Sequence, residues 1–255
     1  RRPPTPTPFP YTTLFRSASP NIDLFTDYQL VEDSTNDSTA EYGFTDQAAP
    51  GNIIGTSRDV TVEKLTGTGS SDVSVLIEAG HMNYSASSLT SGTTTLQWDG
   101  ADHSAALDYT GLGGVDLSAF DAFDIGVIFS DGGFNFEVGA YTSATEWTVV
   151  EFAALGTTTG YNRILDLAWF DDASLCGSGA TANYESISCG LGNTSAVNWT
   201  SVGALEATID RVGSATALDL TLGMIQATNV PEPGTALLLG AGLPGLGFTG
   251  RRKKA

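Results

Sequence analysis

Apolar residues recur along this chain at every second position, in short runs broken by Gly, Asp, Asn and Ser. A period of two sends successive side chains to opposite faces of an extended backbone, so each run predicts a strand buried on one face. In the run at 72–80, Val73, Val75, Ile77 and Ala79 share a side; in the run at 123–130, Phe123, Ile125, Val127 and Phe129 do so. The next run, 133–141, aligns Phe134, Phe136, Val138 and Ala140, and Asp131-Gly132-Gly133 before it has the composition of a tight turn needing positive φ. These two runs are therefore expected to pair as a hairpin. Further strands are predicted at 58–65, 93–100, 145–153, 202–212 and 216–225, the last alternating Leu218, Leu220, Leu222 and Met224 with Asp219, Thr221 and Gly223. Only 116–123 reads as a short helix, with Asp116 or Ser118 as its cap.

So many short strands without a helical repeat between them predict an all-β protein: an antiparallel two-sheet β-sandwich, jelly-roll-like or immunoglobulin-like. A length of 255 residues with 41% hydrophobic content supplies one sizeable core, and 30 glycines fit a turn-rich chain.

The ends differ from the body. Residues 1–17 (RRPPTPTPFPYTTLFRS) have no packing periodicity, and PYTTLFRS resembles a translated sequencing adapter; the segment is either foreign to the protein or a disordered proline-rich arm. A secretory signal sequence is accordingly expected upstream of SASPNIDLF in the intact gene. Residues 18–229 form the predicted ectodomain, interrupted at 171–200 by a Gly-, Ser- and Asn-rich segment expected to be a long surface loop. Both cysteines, Cys176 and Cys189, lie in that segment; their even number fits a disulfide in an oxidising compartment, with two reduced thiols as the alternative. Asn-x-Ser/Thr sequons begin at Asn36, Asn83, Asn193 and Asn198, at a frequency expected by chance in so Thr- and Ser-rich a chain.

Charge narrows the partners. Residues 18–230 hold four cations, Arg58, Lys64, Arg163 and Arg211, against 28 acids. Such a surface repels phosphate backbones, which excludes nucleic acid as an expected partner.

The segment 230–255 runs Pro231-Glu232-Pro233, an uncharged stretch at 235–249, then Arg251, Arg252, Lys253 and Lys254. As a helix the uncharged stretch spans about 22 Å, a short transmembrane helix that snorkelling of flanking cations extends. The basic end favours the cytoplasmic side and leaves the body outside. This order resembles the PEP-CTERM sorting signal of Gram-negative bacteria, although Pro244 departs from the usual composition of its helix. The resemblance implies that exosortase reads and removes the segment, that the protein is tethered transiently in the inner membrane, and that it ends at the cell surface or in the extracellular matrix. It further implies a link to exopolysaccharide or biofilm. GTSRDVTVEKLTG, LQWDG and VGALEATID are similar to phrases in ectodomains of other such proteins, some of which resemble the jelly-roll folds of carbohydrate-binding modules.

Candidate chemistry in the body is sparse. With two histidines, His81 and His103, and no Gly-x-Ser-x-Gly elbow, no catalytic role is expected. In QWDGADHSAALDY, Asp99, Asp102 and Asp108 offer hard oxygen ligands that suit Ca²⁺, set against a plain solvated turn; Asp171-Asp172 is a weaker counterpart, and no other cofactor is expected. Trp98, Trp147 and Trp169, with Trp199 and Tyr141 also available, are candidates for stacking on a polysaccharide, set against packing in the sheets. The expected function is structural or interactive, with carbohydrate binding as the alternative.

Overall fold

The computed structural model describes residues 21–35, 37–210 and 216–230. Two antiparallel sheets of seven strands each pack face to face. In chain order the strands are β1 (Asn21–Asp23), β2 (Gln29–Asp33), β3 (Glu41–Asp46), β4 (Ser57–Thr66), β5 (Val73–Glu78), β6 (His81–Ala86) and β7 (Ser91–Trp98). They continue with β8 (Ala122–Ser130), β9 (Phe134–Ser143), β10 (Glu146–Ala154), β11 (Tyr161–Asp166), β12 (Ser186–Cys189), β13 (Ala204–Ile209) and β14 (Asp219–Thr228). The first sheet runs β11-β8-β14-β6-β5-β2 with β1 also beside β14; the second runs β12-β10-β9-β13-β7-β4-β3.

Alternation decides which residues line the core. From the first sheet Val75, Ile77, Tyr84, Phe123, Ile125 and Leu220 are buried; from the second, Val60, Leu96, Phe136, Val138, Val150 and Ile209. Each such side chain contributes roughly 1.5–3 kcal/mol by leaving water. The all-β, two-sheet expectation is thus met.

Several local expectations are not. The predicted hairpin at Asp131-Gly132-Gly133 is an arch between layers, because β8 belongs to the first sheet and β9 to the second. Neither Gly132 nor Gly133 has positive φ, and Ser130 Oγ donates to Gly132 O at 2.7 Å. β8 pairs with β14 and β11, and β9 with β13 and the following β10, so the two strands never pair with each other, and an arch uses the same small residues as a hairpin.

Met224 and Phe129 leave the faces that strict alternation gives them. The register between β8 and β14 shifts twice, within Thr221/Leu222 and Leu222/Ile225, so Met224 is exposed and Phe129 only half buried. A bulge inserts a residue and flips the parity beyond it. Ala79 lies past the end of β5, in the turn to β6.

The predicted helix at 116–123 is a single turn. Asp116 Oδ1 accepts the Ser118 amide at 2.9 Å and Phe120 N reaches Leu117 O at 3.1 Å, but Asp121 N then bonds Thr228 O and β8 begins. The segment 171–200, expected as a surface loop, supplies β12 as an edge strand on β10, and Ile187, Val197 and Trp199 from it are buried. A short helix, α1 (Ala168–Asp171), precedes it.

Among the described residues no helix is long and apolar enough to cross a membrane. The predicted transmembrane stretch 235–249, the motif residues Pro231, Glu232 and Pro233, and the cations from Arg251 to Lys254 lie outside the described residues.

Candidate functional site

Among the described residues, a cluster of three carboxylates sits at one end of the second sheet. On β4, alternation points Arg58, Val60 and Val62 into the core and turns Asp59 to the outer face. Its cross-strand neighbours are Gln97 of β7 and Phe44 of β3.

Beyond β7 the chain turns sharply through Asp99 and Gly100, whose φ is 98°. The following loop is pinned back against the sheet end: Leu112 N bonds Gly203 O at 2.9 Å, and the Tyr109 ring meets Tyr141 edge-on at 5.5 Å. The approach is so close that a Cβ on Gly111 would lie 1.5 Å from the carbonyl oxygen of Asp99.

This packing brings Asp59, Asp99 and Asp102 together, with one carboxylate oxygen from each within 4.8 Å of the others. Asp59 and Asp99 are fully buried and Asp102 is exposed at the mouth. Tyr42 Oη donates to Asp59 Oδ1, and the Asp108 amide donates to Asp99 Oδ2 at 2.7 Å. The remaining oxygens, Asp59 Oδ2 and Asp99 Oδ1, are buried without a hydrogen-bond partner, as is Gln97 Oε1, whose amide nitrogen is taken by Glu206 at 2.9 Å.

Electrostatics follow from that crowding. Burial pushes the Asp99 carboxyl up to about 7; the Asp108 amide opposes the shift, and the Asp102 and Asp59 charges add to it. Burial likewise raises Asp59, and burial together with its bond to Asp59 raises the Tyr42 hydroxyl. Oxygen-only donors of this kind suit a hard cation.

The sequence candidates divide around this cluster. Asp99 and Asp102 belong to it, whereas the Asp108 carboxylate turns to Thr110, accepting its amide at 2.9 Å and its hydroxyl at 2.8 Å. Asp59 and Tyr42 escaped the sequence reading because they lie on distant strands, and their only local signal is polarity on the outward side of a strand. His103 is held by Asp46 at 2.9 Å and stacks on Phe44 at 3.9 Å, and the bond from His103 keeps the Asp46 carboxyl below its usual range. Asp171 is raised by burial, while Asp172 takes the Ser174 hydroxyl and amide.

The tryptophan candidates do not form one platform. Trp98 is buried in the core, where its Nε1 donates to Asp23 at 2.9 Å, so it cannot stack on a ligand. Trp169, on α1, packs edge-on to Tyr184 at 5.9 Å. Trp147 is half buried on the outer face of the second sheet, 6.1 Å from the Tyr141 ring, whose hydroxyl reaches Glu206 at 3.2 Å. Cys176 and Cys189 form a disulfide with Cα atoms 5.4 Å apart, tying the start of the 171–200 segment to β12.

No curated protein matches the chain in sequence. Among solved structures, PfGH50B is 10% identical, with 70% of this chain and 24% of that one covered and a TM-score of 0.37. The family 11 carbohydrate-binding module of Clostridium thermocellum, in complex with a β-1,3-1,4-mixed-linked tetrasaccharide, is 8% identical over 80% of this chain and 98% of that one, at a TM-score of 0.35. An exo-β-agarase is 13% identical over 71% and 24%, also at 0.35, so this chain spans about a quarter of the two longer proteins. At residues 229–253 the sequence matches the PEP-CTERM protein-sorting motif. The chain therefore carries a PEP-CTERM protein-sorting motif at its C-terminal end, after a β-rich sandwich.

Proposed function

We propose that this protein is a non-catalytic structural or interaction component of the cell surface or extracellular matrix. Its sorting motif supports exosortase-dependent export. In this reading residues 235–249 tether it transiently in the inner membrane, exosortase cuts near Pro231-Glu232-Pro233, and the sandwich goes on to a matrix of exopolysaccharide or biofilm. The motif is the observation that carries the proposal. The test is to express the full chain, tagged within the ectodomain, in a host with and without exosortase. Loss of the basic tail and release to the surface fraction only when the enzyme is present supports the reading; an uncut, cytoplasmic product in both hosts overturns it.

The second reading is carbohydrate binding on the outer face of the second sheet. There, half-buried Trp147 and Tyr109 flank Tyr141, whose hydroxyl meets Glu206 beside Gln97, giving ring faces and hydrogen-bonding groups side by side. A glycan array distinguishes the two readings: retention of a polysaccharide that Trp147→Ala abolishes favours this one, and a flat array rejects it.

A further inference from the structure

We propose that Asp59, Asp99 and Asp102 form a calcium-binding site on the ectodomain. Three observations converge on it. Carboxylate oxygens from the three residues lie within 4.8 Å of one another, a spacing that a shared cation reconciles with their mutual repulsion. Two of these side chains are fully buried, and each leaves one oxygen without any hydrogen-bond partner, Asp59 Oδ2 and Asp99 Oδ1. A buried carboxylate oxygen with no donor is costly, and native structures fill such positions with a donor or an ion. Finally, Gln97 Oε1, next to Asp59 across the strands, is a further buried oxygen without a partner.

The donor set selects the ion. The cluster contains carboxylates only, while His103 is engaged by Asp46 and both cysteines are in the disulfide. Oxygen ligands without nitrogen or sulfur favour Ca²⁺ or Mg²⁺ over zinc or copper. The arrangement combines rigid strand and turn positions with an exposed Asp102, and calcium accepts such irregular coordination more readily than magnesium, which demands near-octahedral geometry. Asp102 at the mouth gives the ion its entry path, and water completes the shell. The site does not depend on the proposed surface role, and exosortase cleavage can fail while calcium still binds.

The test is calorimetric titration of the EDTA-treated full-length protein with CaCl₂ and, separately, MgCl₂. One saturable calcium site is expected with a Kd of about 10⁻⁴ to 10⁻³ M, together with a higher melting temperature in saturating calcium. Asp102→Asn, on an exposed side chain, and Asp99→Asn should each weaken calcium binding by about tenfold or more, whereas Asp108→Asn should leave it within about twofold. Asp99→Asn relieves repulsion among the carboxylates, so it should melt no lower than the parent in EDTA while losing the calcium-induced rise; that combination separates a lost ligand from a lost fold. The proposal is overturned if calcium produces no heat and no shift in melting. It is equally overturned if Asp99→Asn and Asp102→Asn bind calcium like the parent, or if magnesium binds as tightly as calcium.

Discussion

Arg58 of the second sheet and Asp23 of the first meet inside the sandwich at 2.7 Å, both side chains fully buried. Arg58 Nη1 donates to both carboxylate oxygens, and Trp98 Nε1 and the Phe25 amide donate to the same group at 2.9 and 2.8 Å. The guanidinium is completed by Gln29 Oε1 and Asp27 O, each at 2.9 Å, and lies over the Phe25 ring. One of the few cations in this acidic body is thus spent on joining β1, β4 and β7 and the segment around β2.

Breaking this pair from one side should be severe. Asp23→Asn leaves the guanidinium buried without its counter-charge and is expected to cost about 3–5 kcal/mol in urea unfolding. Combined with Arg58→Met, the loss should be clearly smaller than the sum of the two single losses, because the charges are coupled. Additive losses would mean that the pair acts as two independent polar groups.

Gly111 should tolerate no side chain. A methyl group there would overlap the Asp99 carbonyl at 1.5 Å, so the loop must move away from the end of β7. Gly111→Ala is expected to destabilise the fold by about 1–3 kcal/mol. Thermal melting measures this, and an unchanged melting temperature would contradict the tight loop packing.

The disulfide closes a separation of 13 residues. Loop-closure entropy for a ring of that size is about 3 kcal/mol, so the double variant Cys176→Ser/Cys189→Ser should lose about 2–3 kcal/mol. The damage should concentrate at the sheet edge, where β12 is the end strand beside β10 and its Ile187 also bonds the backbone of Gly177 and Ser178. Limited proteolysis should therefore cut first within 171–200 in the variant and not in the parent.

Besides Asp46 and Asp108, three aspartates should titrate below their ordinary value of 3.8: Asp37, Asp116 and Asp172. Each carboxylate accepts a hydroxyl first and a backbone amide second, from Thr35 and Thr39, from Ser118, and from Ser174 respectively. A carboxyl whose pKa is lower folded than unfolded adds stability above the unfolded value, and that stability is lost as pH falls through the folded value. The stabilisation is fully present at neutral pH, and its pH dependence is confined to the acid side of pH ~4. Carboxyl NMR titration should show Ser118→Ala and Ser174→Ala moving Asp116 and Asp172 partway back up, since the backbone donors remain.

Much of the fold was legible because burial obeys a period of two. Val73, Val75 and Ile77, or Phe134, Phe136, Val138 and Ala140, announce their buried faces without reference to any other strand. Legibility failed where parity breaks or where the partner is remote. Met224 reads as core until the register shift beside it is known, and Asp131-Gly132-Gly133 reads as a hairpin until β9 is seen to pair with β13. Trp98 shows the same limit: an aromatic beside acidic residues looks like a ligand platform, yet its ring is a core element and its nitrogen serves Asp23.

The sequence alone determined what is local or one-dimensional: the strand faces, the all-β class, the acidic balance and the sorting motif at 229–253, whose order of acid, apolar stretch and cations is read along the chain. Tertiary structure decided which remote side chains meet. Asp59 joins Asp99 and Asp102 only because β4 lies beside β7 and the following loop is held against the sheet end, and Asp108 leaves the group because its carboxylate turns back to Thr110. Strand pairing is set by the summed burial of two whole sheets, and no local stretch of residues encodes that sum.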